Sequence, residues 1–279
     1  MTTADVGVIV PTRNSERTLA ACLKAIRGQD VPCEIVVVDN HSTDRTAAIA
    51  SELADRVEVR GPERSAQRNF GAALLRTRVV GFVDSDMVVS PQVARQALDS
   101  IDAGAAGVIV PEDSFGEGPW AAVRRFERSF YDGDDHVEAA RFFDRAIFER
   151  IGGFDESLNA GEDWDLTIRV RQVGNVARVV ARIGHDDGRI SYRQACVKKA
   201  SYAEGIQAFA AKNGWSALRS ALDRPYLRQP WRLVDRHPLL GVGVVALKVG
   251  EAAAVGFALA RPKLSAAARP GRGLGGERA

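Results

Sequence analysis

Two aspartates separated by one residue, in the tripeptide Asp84-Ser85-Asp86, directly follow an apolar run in the amino-acid sequence. In an extended segment, residues i and i+2 point to the same side, so the two carboxylates would converge. Like charges at this distance are costly unless a cation neutralises them, and hard divalent cations prefer oxygen ligands. The tripeptide also occurs in solvated acidic turns, but its position after a strand favours a Mg²⁺ or Mn²⁺ site.

Short β-branched runs alternate with helical stretches through the first half of the chain. Strands are predicted at residues 6–10, 34–39, 57–59, 79–84 and 107–110, and helices at residues 16–27, 46–53, 65–75 and from Pro91. Repeated strand–helix–strand units predict an α/β fold with a mostly parallel sheet and helices on both faces. Ligands in such sheets bind beyond the carboxyl ends of the strands, which is where the two aspartates lie.

The second half of the chain has glycine-rich turns between shorter elements. The pattern predicts strands at residues 139–144 and 176–183 and helices at residues 145–151, 162–172 and 191–213. Three regions are expected: an α/β domain over residues 1–222, a basic linker with an apolar helix over residues 223–262, and a disordered tail over residues 263–279. The tail assignment rests on its richness in Gly, Ala and Arg.

The composition is typical of a globular protein, because the 279 residues are 46% hydrophobic and 27% charged, with a net charge of +2. A charge balance this close to neutral gives no support for nucleic-acid binding. Cys22, Cys33 and Cys196 form no CxxC pair, which favours reduced thiols in a cytoplasmic protein. The N-terminus lacks a basic segment followed by an apolar one, so we expect no signal peptide.

Five short motifs surround the candidate residues. They are residues 8–14 (VIVPTRN), 34–44 (EIVVVDNHSTD), 65–73 (SAQRNFGAA), 81–86 (GFVDSD) and 151–165 (IGGFDESLNAGEDWD). In this order and spacing they resemble the inverting glycosyltransferases of family 2, although each motif alone is weak. The resemblance extends over about residues 5–215. Residues 113–136 match no pattern of the family, and we expect the identity of the acceptor to depend on them.

The resemblance implies a GT-A fold and a nucleoside-diphosphate sugar as the donor. It implies that the matching residues line the nucleotide pocket or contact the base, ribose or phosphates: Pro11, Thr12, Asn14, Asp39, Arg68, Asp84 and Ser85. Asp39 would accept a hydrogen bond from the base or the ribose. Asp84 would contact the ribose or metal-bound water, and Asp86 would bind the metal directly.

On the acceptor side, residues 151–165 resemble the acceptor loop and the Glu-Asp catalytic motif of the family. This implies that Asp163 is the general base, a role that contributes about 10²–10⁴-fold to a rate. Glu162 either positions the loop or assists the base, and Gly153 and Trp164 are expected near the acceptor. His185 is interpreted as a further metal ligand, although a lone histidine also fits a structural role.

The implied reaction is a metal-assisted single displacement with inversion at the anomeric carbon. Two other functions are open. A sugar nucleotidyltransferase has a similar sheet, but the loop at residues 11–15 (PTRNS) lacks the glycines expected after its first strand. A non-catalytic nucleotide-sugar-binding relative is the other alternative, and the presence of both Asp86 and Asp163 argues against it.

The C-terminal region combines arginines with an apolar segment. Arginines recur every four residues at Arg224, Arg228, Arg232 and Arg236, with two prolines between them that argue against one unbroken helix. Residues 239–260 then contain two charged side chains, Lys248 and Glu251, and as a helix would be about 33 Å long. A membrane-spanning helix, an interfacial helix, and a core or dimer helix are all open. Contact with the inner face of the cell membrane would fit an acceptor that is lipid-linked, and a glycan acceptor is equally open.

Overall fold

Residues 4–135 and 137–260 are described by the computed structural model. The strands are β1 Val6–Thr12, β2 Cys33–Asp39, β3 Arg56–Val59, β4 Val79–Phe82, β5 Met87–Val89, β6 Gly107–Ile109, β7 Glu112–Phe115, β8 Ala140–Asp144, β9 Val176–Arg178 and β10 Ile183–Asp186. The helices are α1 Leu19–Arg27, α2 Thr46–Leu53, α3 Arg64–Leu74, α4 Val93–Asp102, α5 Pro119–Arg128, α6 Arg145–Arg150, α7 Glu162–Arg171, α8 Tyr192–Ala200, α9 Ala203–Leu222, α10 Pro225–Arg228, α11 Trp231–Arg236 and α12 Pro238–Ala260. The tail predicted over residues 263–279 lies outside the described residues.

A seven-stranded sheet in the order β3-β2-β1-β4-β8-β6-β9 forms the centre of the fold. β1 pairs in parallel with β2 and β4, and β2 pairs in parallel with β3. β8 runs antiparallel to its two neighbours, so the sheet is mostly parallel, as predicted. This order brings the carboxyl ends of β1, β2 and β4 to one edge, where Thr12, Asp39 and Asp84 follow one another across the sheet.

The continuous apolar runs of the central strands reflect burial on both faces of the sheet. In β1, Val8 and Val10 pack in one hydrophobic cluster with residues of α1 and α4, and Ile9 packs in a second cluster. The second cluster includes residues of α3, α6 and α7. Because successive side chains of a strand point to opposite faces, an apolar run without alternation supplies both cores at once.

Helix α3 approaches the sheet closely at a glycine. A Cβ added to Gly71 would lie 2.6 Å from Cγ2 of Ile9 on β1 and 3.1 Å from Cγ2 of Val38 on β2. Only a residue without a side chain allows this approach without displacing the strands. The same helix carries Arg68 one turn earlier, so the close packing fixes that arginine beside the carboxyl ends of the strands.

A second sheet, in the order β5-β10-β7, was not predicted from the sequence. The single strand predicted at residues 176–183 is wrong, because Val176–Arg178 pairs with β6 in the main sheet and Ile183–Asp186 belongs to the second sheet. Val179 and Ala181, between the two strands, stay buried in the core. The apolar pattern therefore continues while the chain passes from one sheet to the other.

Two predicted helices also differ from the structure. Helix α1 begins at Leu19 rather than at residue 16, because residues 15–18 form a hydrogen-bonded turn. The single helix predicted at residues 191–213 is two helices, α8 and α9, of which α9 continues to Leu222. Gly214 has a φ of 86°, which places a kink within α9.

The C-terminal region forms three helices. Pro225 and Pro230 interrupt the arginine-rich segment, as predicted, and the short helices α10 and α11 begin beside them. Helix α12 matches the predicted apolar helix and packs against α5, α8 and α11. Among the described residues, it is the one helix long and apolar enough to cross a membrane, with a mean hydropathy of 1.8.

Candidate functional site

Two neighbouring cavities open beside the carboxyl ends of the central strands. The larger cavity has a volume of about 630 Å³ and is bordered by Pro11, Thr12, Asp84, Ser85, Asp86 and His185 among the predicted residues. The smaller cavity has a volume of about 340 Å³ and is bordered by Glu162, Asp163 and Trp164. Arg64, Arg128, Lys199 and Tyr202 border both cavities. The residues predicted to bind the sugar donor and the residue predicted to be the base thus line different cavities, and these two cavities are neighbours.

Arg68 on α3 is fully buried and holds three carboxylates that border the cavities. Its Nη2 donates to Oδ1 of Asp84 at 2.7 Å, and its Nη1 donates to Oδ1 of Asp163 at 2.8 Å. Nη1 also donates to Oε1 of Glu162 at 3.3 Å. Burial lowers the pKa of Arg68, but Asp163, Asp84 and Glu162 raise it more, so the guanidinium stays charged.

The carboxylate of Asp84 is neutralised by two arginines of the protein. Besides its bond to Arg68, its Oδ2 lies 3.6 Å from Nη1 of Arg141 on β8. Burial raises the pKa of Asp84, but the charges of Arg68 and Arg141 lower it more, so the pKa lies well below its usual range. Asp84 is therefore ionised and already paired, and Asp86 is the aspartate that faces the larger cavity without an arginine contact among the described residues.

Asp86 lies beside His185 because β5 pairs with β10. The backbone N–H of Asp186 donates to the carbonyl of Asp86 at 2.8 Å, and Nε2 of His185 lies 3.2 Å from Oδ2 of Asp86. Burial raises the pKa of Asp86, but the hydrogen bond and charge of His185 lower it more. The predicted proximity of His185 and Asp86 is thus present, and it depends on a sheet that the sequence pattern missed.

The donor atoms at Asp86 and His185 fit a divalent cation that is completed by substrate. A carboxylate and an imidazole suit Mn²⁺, and carboxylate with phosphate oxygens and water suits Mg²⁺. Nδ1 of His185 is buried and makes no hydrogen bond within the described residues. No group of three or more His, Cys, Asp or Glu side chains within residues 4–135 and 137–260 is arranged to hold a metal by itself. A cation here would need further ligands from water or from a bound molecule.

Glu162 and Asp163 begin helix α7 but lie in different environments. Glu162 is buried, and burial together with the charge of Asp163 raises its pKa. The side chain of Asp163 is 31% exposed in the smaller cavity. Its Oδ1 is held by Arg68, and within the described part of the chain its Oδ2 accepts no hydrogen bond. Asp163 therefore offers an oriented carboxylate oxygen to a molecule in the smaller cavity.

Asp39 and Asn14 line neither cavity. Asp39 forms its bonds within the loop that follows β2, and Asn14 joins that loop to the one that follows β1. Asp39 accepts hydrogen bonds from the N–H and the hydroxyl of Ser42 at 2.9 and 2.5 Å. Oδ1 of Asn14 accepts from the N–H of Thr43 at 2.9 Å. Thr12, in contrast, borders the larger cavity, and its Oγ1 is buried without a partner among the described residues. That hydroxyl is available to a bound molecule.

The two residues expected near the acceptor lie apart. Trp164 borders the smaller cavity, and its Nε1 donates to the carbonyl of Val137 at 3.1 Å. Gly153 lies outside both cavities, in a turn where its φ is 65° and an added Cβ would lie 2.6 Å from Oδ1 of Asn69. The turn itself requires a glycine there, which accounts for the Gly-Gly motif without a contact to substrate.

Several cations at the cavities were not predicted. Arg124 and Arg128 on α5 and Lys198 and Lys199 on α8 border the larger cavity. Arg124 and Arg128 are four residues apart and share a helix face, a spacing that could have identified them. The ammonium group of Lys199 makes no ion pair with any described residue, and burial lowers its pKa. These side chains bring positive charge to the wall of the cavity, and none of them belongs to one of the five motifs described above.

Glu112 on β7 is the acidic partner of two of the arginines near the site. Its Oε1 accepts from Nε of Arg141 at 2.6 Å, and its Oε2 accepts from Nη1 of Arg128 at 2.6 Å. Burial raises the pKa of Glu112, but Arg141 and Arg128 lower it more, to about 2. The folded-state pKa is below that of an unfolded chain. The resulting stabilisation is therefore complete above about pH 4.3 and is lost as the pH falls towards 2.

We expect Glu112→Gln to lower the free energy of unfolding by about 3 kcal/mol at neutral pH. The difference from the unsubstituted protein should shrink as the pH falls below about 4, because both proteins then lack the charge. Urea denaturation at neutral pH and at about pH 3 measures both values. Glu117→Gln, at an exposed position on the same segment, is the control. A difference that stays constant with pH would show that the charge of Glu112 is not the cause.

Comparison of the sequence with family models and with known proteins identifies relatives of this chain. A model described as glycosyl transferase family 2 matches residues 7–154. The pre-mycofactocin glycosyltransferase of Mycobacterium tuberculosis (strain ATCC 25618 / H37Rv) is 27% identical over 233 residues, which cover 75% of this chain and 48% of that protein. The succinoglycan biosynthesis protein ExoO of Rhizobium meliloti is 26% identical over 247 residues, covering 78% and 70%. The chain thus spans about half the length of the first of these relatives.

Two solved structures have the same fold. The mannosyltransferase PcManGT from Pyrobaculum calidifontis, in complex with GDP-Man and Mn²⁺, aligns with a TM-score of 0.58 at 20% identity, covering 94% of this chain and 82% of that one. S. aureus TarS 1–349 in complex with UDP-GlcNAc aligns with a TM-score of 0.55 at 19% identity, covering 91% and 80%. At these identities the likeness shows the fold, which is the GT-A fold expected from the sequence.

Proposed function

Because this chain belongs to glycosyl transferase family 2, we propose that it transfers a sugar from a nucleoside-diphosphate donor to an acceptor hydroxyl, with inversion. One observation carries the proposal. Asp84 at the larger cavity and Asp163 at the smaller cavity are bound by the same buried guanidinium, that of Arg68. This shared counterion supports a site in which a strand end that would bind the metal and a carboxylate that would act as the base are held side by side. The donor would then occupy one cavity and the acceptor the other.

The donor is placed in the larger cavity, at the carboxyl ends of the strands where ligands of such sheets bind. Pro11, Thr12 and Ser85 border this cavity, and the unpartnered hydroxyl of Thr12 supports a polar ligand there. Asp39 and Asn14 would shape the nucleotide pocket through the loops that follow β1 and β2. The two solved structures with bound GDP-Man and UDP-GlcNAc support a sugar nucleotide as the ligand class.

Asp86 and His185 would hold a divalent cation, Mg²⁺ or Mn²⁺, together with phosphate oxygens of the donor. When bound, such an ion offsets the negative charge that develops on the leaving diphosphate. Lys198 and Lys199 add positive charge to the same cavity. The charge of Asp84 is already balanced by arginines, so it would contact the ribose or metal-bound water rather than replace Asp86 as a ligand.

In the proposed chemical step, the base is Oδ2 of Asp163, the carboxylate oxygen that accepts no hydrogen bond from a described residue. As the acceptor oxygen bonds to the anomeric carbon, Oδ2 of Asp163 takes the proton of the acceptor hydroxyl. The bond from the anomeric carbon to the diphosphate oxygen breaks, and its electron pair leaves with the nucleoside diphosphate. Attack opposite to the leaving group inverts the configuration, so no nucleophilic side chain is needed. Glu162, buried beside Arg68 and Arg64, would position the base.

The first experiment measures release of nucleoside diphosphate from a panel of nucleotide sugars with Mn²⁺ or Mg²⁺. We expect slow, metal-dependent release from one donor, with water as the acceptor, and a loss of at least about 100-fold in Asp86→Ala. Asp99→Ala, at an exposed position on α4 outside both cavities, is the matched control. Consumption of added pyrophosphate, with a nucleoside triphosphate and a sugar 1-phosphate as the products, would instead indicate a nucleotidyltransferase. Absence of both turnover and metal-dependent nucleotide binding would overturn the transferase proposal.

A further inference from the structure

The outer face of helix α12 is apolar, and no described residue packs over its first half. Leu239, Val242 and Val249 are 80%, 68% and 64% exposed, and Val245, between them, is 54% exposed. The two charged residues of the helix, Lys248 and Glu251, do not belong to this face: Glu251 is buried and Lys248 is half-buried. A stripe of this length without a charged side chain is unusual on a surface that faces water, and it marks an interaction site.

The inner face of α12 is bound to the rest of the protein by ion pairs. Nζ of Lys248 lies 2.6 Å from Oε1 of Glu127 and 2.8 Å from Oε2 of Glu251. Nη2 of Arg124 lies 2.8 Å from Oε1 of Glu251. The hydroxyl of Tyr192 on α8 donates to a backbone carbonyl of α12 at 3.1 Å. These contacts fix α12 alongside α5 and α8.

The ion pairs that hold α12 against α5 and α8 limit the orientations that the helix can take at a bilayer. Helices α5 and α8 carry Arg124, Arg128, Lys198 and Lys199, which border the larger cavity. If α12 crossed a membrane, either these cations would enter the hydrocarbon or the buried ion pairs would break, and both are costly. A helix that is charged on its bound face and apolar on its outer face instead fits an orientation parallel to the bilayer.

Positive charge flanks the apolar stripe at both ends in sequence. The guanidinium groups of Arg232 and Arg236 on α11 lie 5.7 and 5.0 Å from the ring of Phe130, and the neighbouring Trp231 is exposed. Asp235 is the one acid within that helix. After α12, the sequence carries five basic residues and one acid, namely Arg261, Lys263, Arg269, Arg272, Arg278 and Glu277. Arginines and an exposed tryptophan beside an apolar helix complement anionic headgroups.

We propose that the outer face of α12, with the arginines of α11, binds the surface of an anionic phospholipid bilayer, and that the helix lies along the bilayer without crossing it. A second copy of the chain is a weaker occupant of this surface. In a parallel two-fold contact the arginines of α11 in the two copies would lie near one another. In an antiparallel contact they would lie near the end of the other copy's α12, which basic residues follow in the sequence. The inference does not depend on the transfer reaction, since membrane binding is measured without substrate.

Co-sedimentation of the full chain with vesicles tests the proposal. We expect binding to vesicles of phosphatidylcholine mixed with phosphatidylglycerol, weaker binding to phosphatidylcholine alone, and release at high salt. Val242→Glu combined with Val249→Glu should weaken binding at least about tenfold, because two apolar side chains no longer enter the interface. Val180→Glu, at a position 85% exposed outside α12, is the control and should bind normally. Arg232→Gln should weaken binding about fivefold, and only to the anionic vesicles.

Three results would overturn the proposal. The first is equal binding by the double variant and the protein without substitution, with circular dichroism showing that both are folded. The second is binding that resists both high salt and alkaline carbonate, which indicates a spanning helix. The third is no vesicle binding together with a dimer in size-exclusion chromatography that the double variant dissociates, which makes a second copy the occupant.

Discussion

Replacing Arg68 with methionine should lower the free energy of unfolding by about 3–5 kcal/mol, the largest effect on stability that we expect at a single position. The guanidinium is fully buried and is the shared partner of Asp84, Glu162 and Asp163. Methionine fills similar space but leaves carboxylates in a buried setting with much less opposing charge. Such carboxylates bind protons or draw in water, and either response stabilises the folded state less than the ion pairs do.

Urea denaturation of Arg68→Met measures this effect, and Arg64→Met is the control on the same helix. Nη2 of Arg64 lies 3.4 Å from Oε1 of Glu162, but its side chain is 44% exposed, so we expect a loss of at most about 1 kcal/mol. In the double variant Arg68→Met/Asp163→Asn, part of the stability should return because one unpaired charge is removed. A loss at Arg68 no larger than that at Arg64 would contradict the role of Arg68 as the common counterion.

Replacing Asp163 with asparagine should have the largest effect on turnover, lowering kcat about 10²–10⁴-fold while donor binding is retained. Asparagine keeps the shape of the side chain, and its amide oxygen can still accept the hydrogen bond from Arg68. It cannot take a proton from an acceptor hydroxyl or from water. Asp163 borders the smaller cavity and not the larger one, so the donor site should be unchanged.

Nucleoside diphosphate release gives kcat, and calorimetric titration with the nucleoside diphosphate gives the donor-side Kd. Asp99→Asn is the matched control, because the same change is made at an exposed position on α4 that borders neither cavity. We expect that change to leave kcat and nucleotide binding as they are. A kcat of Asp163→Asn within tenfold of the unsubstituted protein, or a parallel loss of nucleotide binding, would remove Asp163 as the base.

The parts of the fold that were predicted from sequence depend on local patterns. The central strands are apolar without alternation, and the turn residues after them mark the edge where the site lies. Asp86 and Thr12 follow such strands, and both border the larger cavity. These residues could be identified because strand position and side-chain chemistry together define the parallel-sheet edge.

The features that were missed depend on contacts between distant segments. Arg141 pairs with Asp84 only because β8 inserts antiparallel beside β4, a pairing that no local pattern indicates. The proximity of His185 to Asp86 was expected, but the second sheet that brings them together was missed, because one long strand was assumed at residues 176–183. Lys199 reaches the cavities because the chain turns after α8, where one continuous helix was expected. Spacing along the chain carries no information about such pairings.

The walls of the two cavities come from different parts of the chain, and this affects how the sequences of relatives can differ. The match to the family ends at residue 154, and the walls of the smaller cavity that come from α7, α8 and α9 lie beyond it. Under the proposed function, the segments after residue 154 could therefore differ between relatives with different acceptors, although His185, Lys198 and Lys199 of the larger cavity also lie there. Arg68 limits this freedom, because any replacement segment must return an acidic pair to the guanidinium, 95 residues away in this chain. A change of acceptor specificity is therefore compatible with this fold only if acidic residues still pair with the buried Arg68.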